Sequence, residues 1–355
     1  MDPRARALAK FVVEKLGVKR DENVVISGGT ESSDFVLELY KEVLLCGAHP
    51  DLRVNIPGTA SFFHKYAQKH QIDKFPAVFD FQVKGAQKYI GIESTANVKE
   101  LAGCDSEKIL ARQKVLEPIF RYVCNGKPHI KRSTVAFPCV ALAQEAEMSL
   151  NEYENFVYSA CLQDWKKVEE LVDKVLEVFR RGKVVHLVGD GVDLRFDIRG
   201  ELTCSDMDGE NIPMGEVFMA PVRESVDGWI RFDYPAIMSG KEVHDIYLKF
   251  RDGKVIESTA SKNGDFLSKV LATDENASYV GEFGIGMNPK VDRFSKNLLF
   301  DEKIGGTIHL ALGSAYKENG GGNDSAIHWD IVKDMSRARI VLDGKVVQEN
   351  GVWRV

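Results

Sequence analysis

Hydrophobic residues along the first half of the chain alternate between two spacings. A short apolar run at residues 24–28 predicts a buried strand, and residues 52–56 and 77–81 are further strand candidates. Residues 36–44 instead carry apolar side chains three and four positions apart, which predicts an amphipathic helix that ends at Gly47. This alternation of strand and helix is typical of a doubly wound α/β fold with a mostly parallel sheet.

Further helices are predicted from apolar residues at helical spacing and from capping residues. The spacing predicts helices at residues 62–70, 106–123 and 164–180. Ser149 and Glu152 have the arrangement of a capping box, so another helix is expected to begin after Ser149. The helix over residues 164–180 is apolar on one face and connects the two halves of the chain.

After residue 182 the pattern changes to short strands separated by Asp-Gly and other glycine-containing turns. The predicted strands are residues 184–188, 194–198, 243–250, 255–258 and 340–342. We therefore predict a second, β-rich α+β domain with antiparallel strand pairs. The predicted organisation is an α/β domain at residues 1–162, a connecting helix at 163–182 and a β-rich domain at 183–355.

Length, charge and cysteine content exclude several classes of protein. A chain of 355 residues is too long for one typical core, which also favours two domains. The net charge of −6 argues against binding nucleic acid through a general basic face. No stretch approaches the roughly 18 apolar residues of a membrane-spanning helix, and the chain begins with a helix capped by Asp2 rather than with a signal peptide. The six cysteines form no Cys-x-x-Cys pair and are predicted to be free thiols in a reducing cytoplasm.

Two histidines lie in strand-like segments of the second half. His328 and Asp330 are two residues apart, so on a strand both side chains lie on one face. His309 lies at the centre of an apolar run, and Tyr316 follows it after a glycine-containing turn. Histidine and carboxylate ligands without cysteine are typical of zinc, cobalt or manganese hydrolases. Taken singly, each residue has an ordinary alternative: a buried histidine bonded to a backbone carbonyl, a packing tyrosine, or a chance His-x-Asp pair.

Three glutamates have surroundings that also suggest a site. Glu282 shares a predicted strand face with Gly284 and Gly286, which would let a ligand or another strand approach closely. A carboxylate buried there is costly unless a cation meets it. Glu216 lies between a Pro-Met-Gly turn and an apolar run, and Glu302 precedes the histidine-containing strand. For each of them the alternative is a solvated or hydrogen-bonded side chain.

Five motifs in the second half, taken together, resemble one family of enzymes. They are MGEVFMAP at residues 214–221, GEFGIG at 281–286, FDE at 300–302, GTIHLALGSAY at 306–316 and IHWD at 327–330. In order and spacing this set resembles the aminopeptidase T family, the thermophilic-type metallo-aminopeptidases. The first half agrees more loosely, through its α/β character and the segment TVAFP at residues 134–138.

The resemblance implies a dinuclear metal centre in the C-terminal domain. Its two divalent metal ions would be held by Glu216, Glu282, His309, Tyr316, His328 and Asp330. A water bridging the ions would be the nucleophile. Glu302 would be the general base, because the family has a glutamate just before the histidine strand. Zinc or cobalt fits the nitrogen and oxygen donors best, with manganese and magnesium as alternatives.

The activity that the resemblance implies is hydrolysis of the N-terminal peptide bond of peptides with a free amino terminus. It also implies a cytoplasmic homodimer, and we expect neither nucleic acid nor a membrane as a partner. One alternative is another dinuclear metallohydrolase, such as an amidase or a deacylase, that uses the same centre. The other is a non-enzymatic protein that binds a small ligand and in which the histidines are only structural.

Overall fold

The computed structural model describes residues 2–125, 130–238, 240–317 and 319–355. The chain forms two compact units, one of Met1–Leu162 with Asp208–Pro213 and one of Gln163–Met207 with Met214–Val355. The domain limits expected from the sequence stay a prediction, because compactness alone does not show that a unit folds independently. In the described part of the chain, no helix is long and apolar enough to cross a membrane.

The first unit is built on a parallel sheet whose strands are connected by helices. Its strands are β1 (Asn23–Gly29), β2 (His49–Asn55), β3 (Lys88–Glu93) and β4 (Lys131–Ala136). Its helices are α1 (Pro3–Leu16), α2 (Ser33–Leu45), α3 (Thr59–Tyr66), α4 (Lys69–Ile72), α5 (Ala77–Lys84), α6 (Ser106–Asn125), α7 (Val140–Glu145) and α8 (Leu150–Cys161). β1 pairs in parallel with β2 on one side and with β3 on the other, and β4 follows β3. The predicted α/β class of this half is confirmed.

Two helices of this unit begin at the capping residues that the sequence indicates. The Asp2 carboxylate accepts a hydrogen bond from the Arg4 backbone N–H at 2.8 Å, and Pro3 is the first residue of α1. At the start of α8, the Ser149 hydroxyl accepts from the Glu152 N–H, and the Glu152 carboxylate accepts from the Ser149 N–H at 2.9 Å. These side chains satisfy backbone amides that the first turn of a helix leaves without partners.

The strand predicted at residues 77–81 is wrong, because these residues form the beginning of α5. A five-residue apolar run does not by itself distinguish a strand from a helix. In the helix, Val83 points into the core, and Lys84 pairs with Asp80 one turn earlier at 2.8 Å. β3 and β4 complete the sheet instead. Their sequences mix polar and apolar residues, so no continuous apolar run indicated them as strands.

The second unit begins with a long helix and is otherwise rich in strands. Its first elements are α9 (Trp165–Arg180), β5 (Val184–Gly189), β6 (Val192–Asp197) and β7 (Cys204–Ser205). The chain then adds β8 (Asn211–Ile212) to the sheet of the first unit, parallel to β4. The remaining elements are β9 (Glu216–Met219), β10 (Asp227–Arg231), β11 (Ala236–Met238), β12 (Lys241–Val243), β13 (Tyr247–Arg251), β14 (Lys254–Thr259), α10 (Gly264–Leu271), β15 (Val280–Gly286), α11 (Leu298–Asp301), β16 (Thr307–Gly313), β17 (His328–Asp334), β18 (Ala338–Leu342), β19 (Lys345–Glu349) and β20 (Val352–Trp353).

The strands of the second unit form antiparallel sheets. An eight-stranded sheet has the order β14-β13-β10-β6-β5-β18-β19-β20, a five-stranded sheet has the order β17-β16-β15-β9-β7, and β11 pairs with β12. The predicted β-rich class of this half is therefore confirmed. The strand expected at residues 243–250 is in fact divided between β12 and β13. The division falls at Asp245, whose φ of 53° is in the left-handed region that interrupts a strand.

One face of the five-stranded sheet is fixed by aromatic packing. Phe283 of β15 lies against Phe196 of β6 and Phe179 of α9, with ring centroids 5.1 and 6.4 Å apart. Successive residues of a strand point to opposite faces, so Glu282 and Gly284 lie on the other face. All residues of β15 and β16 are buried. The polar residues of these strands are therefore held on a rigid, enclosed surface.

Candidate metal centre

Strand register brings four of the predicted ligands onto one face of the five-stranded sheet. Glu282 on β15 lies opposite Ala311 on β16, and Ala311 lies opposite Asp330 on β17. His309 is two residues before Ala311, and His328 is two residues before Asp330. Because directly opposed residues and residues two positions apart share a face, the two acids and the two histidines point to the same side.

A fifth predicted ligand, Glu216, joins this face from β9, where it lies opposite Gly286 of β15. Glycine is required at the next position of that face, Gly284, which lies opposite His309. A Cβ added at Gly284 would be 2.0 Å from His309 Nε2, far inside van der Waals contact. Because glycine has no side chain, there is room for the imidazole above the strand.

The donor atoms of this cluster lie close together. His309 Nε2 lies 3.1 Å from Glu216 Oε1, 3.5 Å from Glu282 Oε1 and 3.9 Å from Asp330 Oδ1. His328 Nε2 lies 3.6 Å from Asp330 Oδ2. The atoms form two overlapping groups, in each of which all donors lie within 4.8 Å of one another. One group is Glu216, Glu282 and His309, and the other is Glu282, His328 and Asp330.

The orientation of His328 suits a metal ligand. Its Nδ1 donates a hydrogen bond to the backbone carbonyl of Ser314 at 2.8 Å. A proton on Nδ1 leaves Nε2, which faces Asp330, with its lone pair available. A hydrogen bond from the second ring nitrogen to a carbonyl is the usual way in which proteins orient a coordinating histidine.

Several buried polar atoms of the cluster have no hydrogen-bond partner among the described residues. His309 is fully buried, and within the described residues neither of its ring nitrogens has a partner with good hydrogen-bond geometry, although Nε2 lies 3.1 Å from Glu216 Oε1. Asp330 Oδ1 is also buried without a partner. Buried polar groups are costly unless something satisfies them. Carboxylate oxygens and imidazole nitrogens with this geometry fit divalent metal ions.

Burial and neighbouring charges shift the pKa values of the cluster in different directions. Burial raises the pKa of Glu282. Burial has the same effect on Glu216, but the charges of Lys303 and His309 outweigh it and lower the pKa of that carboxyl. Burial opposes charge on His309, yet the carboxylates around it raise its pKa well above the usual value. The cluster is therefore an environment that favours positive charge.

A buried lysine that the sequence analysis missed lies behind the cluster. Lys303 is fully buried, and its Nζ donates to Glu302 and lies 3.5 Å from Glu216 Oε2 and 3.6 Å from Asp206 Oδ2. Asp206 in turn accepts hydrogen bonds from the backbone N–H groups of Gly215 and Glu216. Burial opposes the charge on Lys303, but the surrounding carboxylates outweigh it and raise the pKa of the ammonium group, so Lys303 stays protonated. No spacing or composition signal distinguishes this lysine in the sequence.

Glu302, the predicted general base, lies directly after α11. Burial raises the pKa of its carboxyl to about 8 despite the opposing charge of Lys303. The helix that precedes it is short and is capped by Asn297, whose side chain accepts from the Leu299 N–H at 2.9 Å. A carboxyl with a pKa near neutrality is matched to accepting and returning a proton.

Tyr316, the sixth predicted ligand, lies beside the cluster. Its ring centroid is 5.3 Å from that of His328, and the residue is 46% exposed. In the same loop, the buried Asn319 donates to Glu282 Oε2 at 3.4 Å. Asn319 is a second residue that the sequence analysis missed, because nothing in its local sequence marks it as buried.

The sequence profile of one peptidase family, described as thermophilic metalloprotease (M29), matches residues 1–353. Among named relatives, aminopeptidase AmpS of Bacillus subtilis (strain 168) is 26% identical over 97% of both chains. Aminopeptidase T of Thermus thermophilus is 27% identical over 89% of this chain and 88% of its own.

Solved structures show how widely the fold occurs. Wild-type AmpT from Thermus thermophilus superposes with a TM-score of 0.83 at 24% identity, covering 99% of each chain. A 2,5-dihydroxypyridine dioxygenase from Pseudomonas putida KT2440 superposes with a TM-score of 0.63 at 13% identity, over 98% of this chain and 96% of its own. Since two chains of such different names share the fold, membership rests on the sequence profile and not on the shape. That profile spans almost the whole chain and confirms the resemblance seen in the five motifs, so the protein belongs to the thermophilic metalloprotease family.

Proposed function

We propose that this protein is an aminopeptidase that removes the N-terminal residue of peptides at a dinuclear metal centre. The observation that carries the proposal is the pair of overlapping donor groups on one sheet face, which share Glu282. A shared carboxylate is the arrangement expected of a ligand that bridges two ions. Relatives that are named aminopeptidases and align along most of the chain support the same activity.

The assignment of ligands follows the two groups. Glu216 and His309 would hold one ion, His328 and Asp330 the other, and Glu282 would bridge them. Tyr316, whose ring lies beside His328, would complete the set. Zinc or cobalt suits these donors best, and manganese or magnesium is the alternative.

The chain's own residues would then carry the proton transfers. When bound, the two ions supply a water of lowered pKa and polarise the scissile carbonyl. Glu302 would accept the proton of the attacking water and return it to the leaving amine. Lys303 holds the Glu302 carboxylate by a hydrogen bond and keeps its position fixed. The Ser314 carbonyl would keep His328 in the tautomer that presents Nε2.

The enzyme's substrates would be peptides with a free N-terminus, in agreement with the aligned relatives that are named aminopeptidases. We place the activity in the cytoplasm, which agrees with six cysteines that form no disulfide. A homodimer is the assembly that we propose.

The proposal is tested by metal analysis combined with a peptidase assay. Purified protein should contain about two metal ions per chain and should hydrolyse aminoacyl-p-nitroanilides. Chelation should abolish the activity, and so should His328→Ala, which removes a donor nitrogen. The matched control is His186→Ala, since His186 is a strand histidine of the same unit whose imidazole pairs with Asp193 near the surface.

Two outcomes would contradict this function. Folded protein that contains no metal ion and gains none from solutions of zinc, cobalt or manganese would exclude a metal centre. Protein that binds metal but leaves all aminoacyl-p-nitroanilides intact would exclude the aminopeptidase. In that case, hydrolysis of N-acyl amino acids or simple amides would indicate an amidase or a deacylase.

A further inference from the structure

A cavity of about 220 Å³ opens beside the proposed metal ligands His328 and Asp330, which form part of its wall. The rest of the wall is mostly apolar, with contributions from Pro235, Ala236, Ile237, Met238, Phe294 and Leu298. Three of these residues form β11, so an ordered strand shapes one side of the cavity. No step of the proposed hydrolysis uses this space.

The size of the cavity suits one side chain of medium size. A cavity of about 150 Å³ lined by apolar residues is large enough to hold benzene. The space beside His328 is larger than that, so it accommodates the isobutyl group of leucine, the thioether of methionine or the ring of phenylalanine. A methyl group would leave most of the apolar wall uncovered and would gain little from its burial.

The charged residues of the wall are already engaged with other groups. Lys296 Nζ lies 3.2 Å from Glu242 Oε1. Asp301 accepts hydrogen bonds from the backbone N–H and the hydroxyl of Ser295, at 2.7 and 2.8 Å. An incoming carboxylate or ammonium group would therefore lose its hydration among apolar side chains without gaining a matched partner, which is costly. The wall favours uncharged side chains.

We propose that this cavity receives the side chain of the substrate's N-terminal residue and selects leucine, methionine and phenylalanine over alanine, glutamate and lysine. The inference rests on the proposed aminopeptidase function. A peptide whose first carbonyl is placed at the metal centre has the side chain of that same residue as its nearest apolar group. Because His328 and Asp330 form part of the cavity wall, the cavity lies next to the position of that side chain.

The first test compares kcat/KM for leucyl-, alanyl-, glutamyl- and lysyl-p-nitroanilide. We expect the leucyl substrate to exceed the alanyl one by about tenfold or more, since each methylene in an apolar pocket contributes about 10-fold or more in selectivity. Ala236→Leu should fill the cavity and lower the leucyl/alanyl ratio by about tenfold. Ile237→Ala should enlarge it and raise the phenylalanyl/leucyl ratio of kcat/KM, measured with phenylalanyl-p-nitroanilide as an additional substrate.

The matched control for Ile237→Ala is Ile256→Ala. Ile256 is a strand residue of the same unit on β14, is 48% exposed and is not part of the cavity wall. This variant should keep the wild-type ratios among the four substrates. If Ala236→Leu fails to fold, Ile237→Ala still tests the proposal, because removing methylenes from a half-buried residue introduces no steric clash.

A second readout does not depend on activity. Isoamylamine has the side chain and the amine of leucine, and cadaverine has those of lysine. On the chelated protein, saturation-transfer NMR should show contact for isoamylamine and none for cadaverine, and Ala236→Leu should abolish the isoamylamine signal. Equal signals from the two amines, or an isoamylamine signal unchanged in Ala236→Leu, would overturn the inference.

The two proposals fail in different ways. If no aminoacyl-p-nitroanilide is hydrolysed, the aminopeptidase function itself is wrong. If the enzyme is active but its leucyl/alanyl ratio is the same in the wild type, Ala236→Leu and Ile237→Ala, only the role of the cavity is wrong. A wild-type preference for lysyl or glutamyl substrates would likewise overturn the inference and leave the aminopeptidase function standing.

Discussion

Gly284 is the residue on which the position of the His309 imidazole depends. Its pairing across β15 and β16 puts it directly beneath the ring, and an added Cβ would lie 2.0 Å from Nε2. Gly284→Ala should therefore displace the ring and lower the bound metal from about two ions per chain to about one or fewer. Elemental analysis of the purified variant, with circular dichroism to verify folding, measures this effect.

A matched glycine variant distinguishes this clash from a general effect of alanine. Gly264 is the first residue of α10, in the same unit, and a Cβ added there would have no atom within 4 Å. Gly264→Ala should keep the wild-type metal content. A folded Gly284→Ala protein with the wild-type metal content would show that His309 does not need its present position to bind metal.

Some residues of the cluster can be identified from their local sequence, and others cannot. His328 and Asp330 stand out because their spacing of two places them together on any strand. Lys303 and Asn319 do not stand out, although both are fully buried beside the cluster. Their burial depends on contacts with distant parts of the chain, and no local pattern encodes such contacts.

Secondary-structure elements were likewise predictable where local residues determine them and not where distant residues do. Helices α1 and α8 were predictable because their caps lie within three residues of the helix start. The residues 77–81 were misassigned because a short apolar run fits a strand and a helix equally well. The register of β9, β15, β16 and β17 decides which side chains meet. It pairs segments as far apart in the sequence as Glu216 and Gly286, so no local rule gives it.

Asp301, the last residue of α11, has a carboxyl group whose pKa makes stability depend on pH. Burial raises the pKa of Asp301 from 3.8 to about 7, although Ser295 donates two hydrogen bonds to it. A raised pKa in the folded state means that stability is fully present below the unfolded value and is lost as the pH rises through about 7.

Asp301→Asn keeps an acceptor oxygen and removes the ionisation. Between pH 5 and pH 8, the unfolding free energy of the wild type should therefore fall relative to that of the variant by about 1–3 kcal/mol. Urea denaturation of the chelated proteins at both pH values measures the difference. Asp274→Asn is the control: the Ala326 N–H lowers the pKa of Asp274, so its contribution is lost only in acid and should be constant across this window. A constant difference for Asp301→Asn as well would mean that Asp301 stays ionised in the folded protein.

For the whole molecule, the similarity to both an AmpT and a dioxygenase shows that the fold alone does not determine the chemistry. The α/β and β-rich halves were predictable from the periodicity of apolar residues alone, because a sheet covered by helices and a set of antiparallel strands impose different spacings. The return of β8 to the first sheet was not predictable, since a two-residue strand carries too little pattern.

The distribution of the proposed ligands predicts how metal removal should affect the molecule. All six belong to the second unit, on or beside β9, β15, β16 and β17. Without cations, the clustered carboxylates repel one another and lose their buried partners, so these strands should open more often. We expect chelation to accelerate amide hydrogen exchange in the four strands while β1 to β4 of the first unit keep their rates. In Gly284→Ala, which should bind little metal, chelation should change the rates far less. Acceleration spread equally over both units, or confined to β1 to β4, would mean that the ions are held elsewhere in the chain.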